Sequence, residues 1–294
     1  DMNENYVVGI GEVLWDVLPE GKKLGGAPAN FACHVSRFGL NGLVISAVDK
    51  DKLGDEIINV FNQKRLEYQL EKTDFPTGTV EVTLDNAGIP QYDIKENVAW
   101  DNIPFTEEIR MIASHTRAVC FGSLAQRSQN SRRSINAFLD SMPDSEDSLK
   151  VFDINLRQNF YSEEIVQESL SKCNILKIND EELLIVKDLL SLRGRSQEEL
   201  CNELMALGNL RMLILTCGTK GSMVFSQEGI SVLGTPTVQV ADTVGAGDSF
   251  TAAFISSLIK GKTVREAHQT AVNVSAYVCT QQGAMPPLPK SLTE

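Results

Sequence analysis

The sequence predicts an α/β protein: a mostly parallel sheet covered by helices on both faces, with a small β-hairpin inserted outside it. Three observations carry this. From Ala118 onward, strand-like runs (Ala118–Gly122, Lys150–Ile154, Asn174–Ile178, Met212–Thr216, Ser222–Phe225) alternate with helical ones (Gln129–Asp140, Ser162–Lys172, Glu181–Leu190, Gln197–Leu207), the pattern of a parallel sheet with crossover helices. Between about Thr77 and Asp101 the pattern changes. Thr79–Leu84 alternates strictly, Asp85-Asn86-Ala87-Gly88 makes a turn, and Gln91–Ile94 returns, which is a hairpin with one polar face. Finally, the 294 residues contain no repeats or long linkers, so 1–294 is taken as one domain, with segments near 14–24 and 76–103 forming an inserted lid.

The composition, 42% hydrophobic and 22% charged, is that of a globular protein. A net charge of −12 argues against nucleic acid or an anionic membrane as partner, and obliges any anionic ligand to be held by a local site. The six cysteines (33, 120, 173, 201, 217, 279) include no C-x-x-C pair, so free thiols in a reducing compartment are expected. With no leader-like segment and no membrane-length apolar run, a cytoplasmic location is expected.

The first strand, Tyr6–Ile10, leads into Gly11-Glu12-Val13-Leu14-Trp15-Asp16. Gly9 and Gly11 suggest a dinucleotide turn, but Leu14 stands where the third glycine belongs. Asp16, just past a strand end, is suited to accept hydrogen bonds from two neighbouring hydroxyls, though taken alone it reads first as a solvated turn residue. Gly25-Gly26-Ala27-Pro28-Ala29-Asn30 is a glycine turn entering a helix, with Pro28 in the first turn and Gly39 ending it. Asn30 offers a donor and an acceptor to whatever the glycines admit. Leu43–Val48 predicts a strand and Gly54–Arg65 a helix.

The second glycine turn, Asp242-Thr243-Val244-Gly245-Ala246-Gly247-Asp248, runs into a helix whose apolar positions Phe250, Ala253, Phe254 and Leu258 share a face. Gly245, Ala246 and Gly247 leave the helix N-terminus nearly bare, so its free amides and positive dipole end favour an anion. Asp248 is poorly placed to bind that anion and better suited to deprotonate a group that attacks it. By itself the motif is equally a turn and a helix start.

Asn179 and Glu182 lie three apart past the strand Asn174–Ile178 and offer an amide and a carboxylate to a hydrated Mg²⁺; acidic residues in a first turn also simply match the helix dipole. Asp153-Ile154-Asn155-Leu156-Arg157 places Arg157 past another strand end, suited to a phosphate or a polar substrate. Thr216-Cys217-Gly218-Thr219-Lys220-Gly221 is a further turn that accommodates a nucleotide or is only a β-turn. Gly261-Lys262-Thr263 is no P-loop, because Ser256 replaces the first glycine. His34, His115 and His268 have no metal spacing. No G-x-S-x-G is present.

Both glycine turns, in this order, resemble the signatures of the PfkB/ribokinase family of carbohydrate kinases. Gly11–Asp16 and the Asp153–Arg157 stretch are most similar to the fructokinase branch. One departure is Asp49, where many members have glycine. The resemblance implies a ribokinase-like three-layer α/β/α core with a small β-sheet lid, and transfer of the ATP γ-phosphate to a sugar hydroxyl. It implies Asp248 as base and the amides of Gly245, Ala246 and Gly247 as anion hole. Asp16, Gly25, Gly26 and Asn30 would bind the sugar, with Gln91, Tyr92 and Arg157 deciding its identity. Asn179, Thr216, Gly218, Gly221 and Gly247 would serve ATP. Asn179 and Glu182 would organise Mg²⁺, and Asp242 and Thr243 would lie at a monovalent cation such as K⁺. Fructose is the leading substrate; ribose, 2-keto-3-deoxygluconate, inositol or a nucleoside such as adenosine are alternatives, as is a non-catalytic sensor on the same fold. A homodimer through the hairpin is expected on general grounds, because an isolated hairpin is marginal.

Overall fold

The computed structural model describes residues 5–294. Among them the strands are β1 (Tyr6–Ile10), β2 (Leu14–Leu18), β3 (Gly21–Gly25), β4 (Asn41–Asp49), β5 (Glu67–Thr73), β6 (Gly78–Leu84), β7 (Pro90–Ile94), β8 (Thr116–Phe121), β9 (Leu149–Asp153), β10 (Ile175–Asn179), β11 (Met212–Thr216), β12 (Ser222–Ser226) and β13 (Gly229–Leu233). The helices are α1 (Ala27–Arg37), α2 (Lys52–Gln63), α3 (Glu107–Ser114), α4 (Gln129–Ser141), α5 (Glu163–Lys172), α6 (Asp180–Leu189), α7 (Gln197–Leu207), α8 (Ala246–Ile259), α9 (Val264–Cys279) and α10 (Lys290–Thr293).

Nine strands form the central sheet in the order β13-β12-β11-β10-β9-β8-β1-β4-β5. It is parallel from β11 to β5, and the β11–β12–β13 edge is antiparallel. Its strands are buried on both faces, so they read as apolar runs: Val7 packs with Phe31, Phe250 and Phe254, while Val8 packs with Ile109, Ile135 and Phe138 on the opposite side. α3 to α7 cover one face; α1, α8 and α9 cover the other. This is the expected ribokinase-like three-layer core. The six cysteines are free. No described helix is long and apolar enough to cross a membrane.

The periodicity of α8 suggested a single apolar face, but every residue from Ser249 to Ser257 is buried. The helix is wedged between the sheet, α1 and α9, so the sheet-facing stripe seen in the sequence is only part of its contact.

A second sheet of four strands, β3-β2-β6-β7, stands apart from the first. The hairpin read from the sequence is β6–β7, paired Val80↔Ile94 to Leu84↔Pro90. Its other half, β2–β3, follows β1 directly and pairs Leu14↔Gly25 to Leu18↔Gly21. Asp16 is therefore not past a strand end; it lies within β2, opposite Lys23.

The return from this sheet to the core is fastened by Arg127. Its guanidinium grips Asp101 with two hydrogen bonds of 2.9 Å and donates to the Lys95 carbonyl at 2.7 Å. It is sandwiched between the rings of Trp100 (4.1 Å) and Phe160 (4.5 Å). Both charges are buried, with side chains 6% and 4% exposed. Arg127→Ala removes the buried partner of Asp101, and is expected to cost about 3–5 kcal/mol, measured by denaturant unfolding.

Candidate active site

A cavity of about 510 Å³ opens between the small sheet and the carboxyl ends of the central strands. It gathers Asp16, Gly25, Gly26 and Asn30 from the first glycine turn, Tyr92 from β7, Arg157 from the loop after β9, and Thr243, Gly245, Gly247 and Asp248 from the second glycine turn. Positions 30 and 248 thus meet across most of the chain because α1 and α8 pack side by side.

Gly245 is the N-cap of α8, with φ 77° and no side-chain cap. A side chain there would be strained, and its Cβ would stand 2.6 Å from that of Ala284. Glycine therefore allows the 281–285 segment to close against the helix end, where Gly283 N–H also donates to Asp242 (3.1 Å). No side chain caps α8; the Ala246 amide is taken by the Thr243 carbonyl (3.3 Å), while Gly245 and Gly247 border the cavity.

Asp248 sits three residues past that N-cap but does not fold back to cap it. Instead it accepts a 2.9 Å hydrogen bond from Asn30 Nδ2. Burial pushes its carboxyl up to about 6; Asp153 adds to this, while Asn30, Lys177 and Arg157 oppose it. Beneath the helix end, buried Lys177 lies 3.2 and 3.4 Å from the two oxygens of Asp153. Thr251 bridges Asp153 to the Gly247 carbonyl, both at 3.0 Å. Burial works against the charge on Lys177, but Asp153 and Asp248 outweigh it and hold the ammonium protonated. The bare helix end is thus backed by a fixed positive charge.

Asn179 and Glu182 behave differently. They form a reciprocal capping box: Asn179 Oδ1 accepts from Glu182 N–H (2.7 Å), and Glu182 Oε1 accepts from Asn179 N–H (3.0 Å). Glu182 Oε2 accepts from Leu156 N–H (2.8 Å), so it also holds the loop that carries Arg157. Both carboxylate oxygens are engaged by amides. Among the described residues no three acidic, histidine or cysteine groups converge as a metal site. The pair is committed to the protein's own amides, so a hydrated magnesium would be met by it through water. Asp242 is engaged likewise, by Val244 and Gly283 amides.

Several residues picked from the sequence do not line the cavity. Gln91 is one: strand alternation puts it on the face of β7 opposite Tyr92 and Ile94, which do. Ala246, Asp242, Asn179, Glu182, Thr216, Gly218 and Gly221 also lie outside it. Asn179 and Thr216 are neighbours, paired at the ends of β10 and β11.

Other residues were missed. Glu12, Asn155 and Gln158 line the cavity. Glu12 stands inside the stretch that drew attention to Asp16, and its burial was not visible in sequence. Asn155 (φ 41°) and Gln158 (φ 50°) hold left-handed conformations unusual for non-glycine residues, and Gln158 Nε2 donates to the Tyr92 carbonyl (2.9 Å). A larger recess, about 640 Å³, lies across the same loop, but its central Arg127 is committed to Asp101. His34 and His268 are buried structural groups bonded to the Ala284 carbonyl and to Ser222 and Ser231.

A buried carboxylate with a raised pKa, beside a helix end with no side-chain cap, is suited to phosphoryl transfer to an alcohol group. The chain belongs to the pfkB family of carbohydrate kinases, whose model matches residues 13–291. It is 27% identical to an ATP-dependent 6-phosphofructokinase of Thermoanaerobacterium thermosaccharolyticum (96% of this chain, 90% of that one). It is 28% identical to a fructokinase of Salmonella typhimurium, over 95% of each chain. The structure of a sugar kinase from Pyrococcus horikoshii in complex with ATP superimposes with a TM-score of 0.80 at 25% identity (95% of this chain, 94% of that one).

Asp248 must be ionised to take a proton, so kcat/KM is expected to fall as pH drops through about 6. Asn30→Ala removes a hydrogen bond to the ionised form and moves that limb upward, as a pH–rate profile reads. Linkage gives the sign for stability. Because the folded pKa is raised, ionised Asp248 costs folding free energy above pH 6 and none below about pH 4. Asp248→Asn is expected to stabilise the fold by about 1–3 kcal/mol at pH 8 and to leave it unchanged at pH 4, by denaturant unfolding.

Proposed function

We propose that this sugar kinase transfers the γ-phosphate of ATP to a hydroxyl of a small neutral sugar, with fructose the leading substrate. The observation that carries this is the Asn30–Asp248 pair beside the uncapped end of α8. The sugar hydroxyl oxygen attacks the γ-phosphorus, its proton passes to Asp248, and the bond to the ADP oxygen breaks. The amides of Gly245 and Gly247, backed by Lys177, receive the charge on the transferring oxygens, and that of Ala246 joins them if it leaves the Thr243 carbonyl. Asn30 orients the base; its own Oδ1 is buried with no protein donor, an acceptor suited to a second sugar hydroxyl. Asp16, Gly25, Gly26, Tyr92 and Arg157 complete the sugar end.

The nucleotide is placed along the β10 and β11 ends, near Asn179, Thr216, Gly218 and Gly221. ATP is supported by the ATP complex of the Pyrococcus relative, and fructose by the Salmonella fructokinase. Magnesium would neutralise phosphate charge there, with Asn179 and Glu182 meeting it through water. A monovalent cation such as K⁺ is assigned to the loop of Asp242 and Thr243. The small sheet is the lid, excluding water during transfer.

In a coupled ADP-release assay over sugars and nucleosides, with and without Mg²⁺ and K⁺, fructose is expected to give the highest kcat/KM. A higher value for another sugar would replace it. Asp248→Asn is expected to lower kcat by about 10²–10⁴-fold with sugar affinity near normal; wild-type turnover would remove Asp248 as base.

Around the β6–β7 turn the small sheet exposes Leu84 (62%) and Ile89 (56%), which do not line the cavity. This supports a homodimer through that surface. Light scattering is expected to give twice the chain mass, and a monomer at working concentration would sink the dimer.

A further inference from the structure

Beneath the first glycine turn lie two acidic residues, not one. A Cβ on Gly25 would come 2.6 Å from an Asp16 carboxylate oxygen, and one on Gly26 would come 2.4 Å from the Glu12 carbonyl oxygen. The double glycine is needed because the chain passes directly over the Glu12 backbone and the Asp16 carboxylate, and both residues line the cavity, the Glu12 carboxyl beside the Ala27 amide at the start of α1. Glu12 is 9% exposed. The charged groups around the cavity are Glu12, Asp16 and Asp248 against the single guanidinium of Arg157, which is itself exposed. Asn30 Oδ1 adds an acceptor without a donor.

A wall of acceptors suits a ligand that brings hydroxyl donors, and a ligand that brings a phosphate meets like charge. The distinction matters for this chain, which is similar at nearly equal identity to a kinase of a free sugar and to a kinase of a sugar phosphate.

We propose that Glu12 is a third substrate-facing carboxyl group, and that it sets the selectivity of the cavity for an uncharged polyol over a sugar already carrying a phosphate. This rests on the cavity being the sugar site. Burial lifts the Glu12 carboxyl to about 7; Arg157 pulls it down and Asp248 pushes it further up. Its charge therefore grows between pH 6.5 and 8, within about one unit of that pKa, and with it the repulsion of an anion.

The test is calorimetric binding of fructose and of fructose 6-phosphate to the wild type, Glu12→Gln and Glu12→Asp, alongside turnover of both. The wild type is expected to prefer fructose by about 100-fold or more at pH 8, less at pH 6.5. Glu12→Gln is expected to narrow the preference roughly tenfold and to flatten its pH dependence, while Glu12→Asp keeps the pH dependence. The second ionisation of the phosphate, near pH 6, is common to all three proteins and cancels. A ratio unchanged in Glu12→Gln, or a wild type that binds fructose 6-phosphate as well as fructose, overturns the assignment of Glu12 while leaving the kinase reading intact. Binding of neither sugar overturns both.

Discussion

Asp248 lies 2.9 Å from Asn30, a residue 218 positions away in sequence, and this contact joins the two glycine turns of the chain. A carboxylate at the third position of a helix ordinarily turns back to cap it, as Glu182 does on α6. Asp248 bonds Asn30 instead, and no side chain caps its own helix. Much of the fold serves that arrangement: α1 packs on α8 to bring Asn30 within reach, and Ala284 presses on Gly245 to fix the helix end.

The electrostatics are set by a small buried cluster. Lys177 and Asp153 stand on neighbouring strands, and Thr251 ties them to the carbonyl of Gly247. A protein of net charge −12 repels phosphate at long range. A lysine held charged beneath the helix end counters this where transfer would occur, at short range and low dielectric. The same cluster bears on the base, since Asp153 raises the carboxyl of Asp248 and Lys177 lowers it.

The far side of the cavity depends on one loop. Residues 155–158 are held by the Leu156–Glu182 hydrogen bond on one side and by the Gln158–Tyr92 hydrogen bond on the other. Phe160, just beyond, stacks on Arg127 and so joins the loop to the return from the small sheet. A group that the sequence offers as a metal ligand, Glu182, thereby acts as the anchor of the substrate-side loop.

The three-layer core, the β6–β7 hairpin and the two glycine turns were legible in the sequence, because period and turn chemistry are local properties of the chain. Apolar runs of five residues and glycines before a helical pattern carry that information wherever they occur. The strands β2 and β3 were not read as strands, since Leu14–Gly25 is short, polar at its far end and stabilised by pairing with β6. Tertiary structure alone decided which carboxylates cap helices and which face the cavity. Asn179–Glu182 and Gly245–Asp248 have the same spacing, but Gly245 has no side chain to complete a capping box, and Asn30 takes up the Asp248 carboxylate. It also decided that Gln91 points away, by one step of strand register, and that Glu12 is buried at the sugar end. Burial and long-range proximity fix a carboxyl's pKa and partner, and neither is a property of the local sequence.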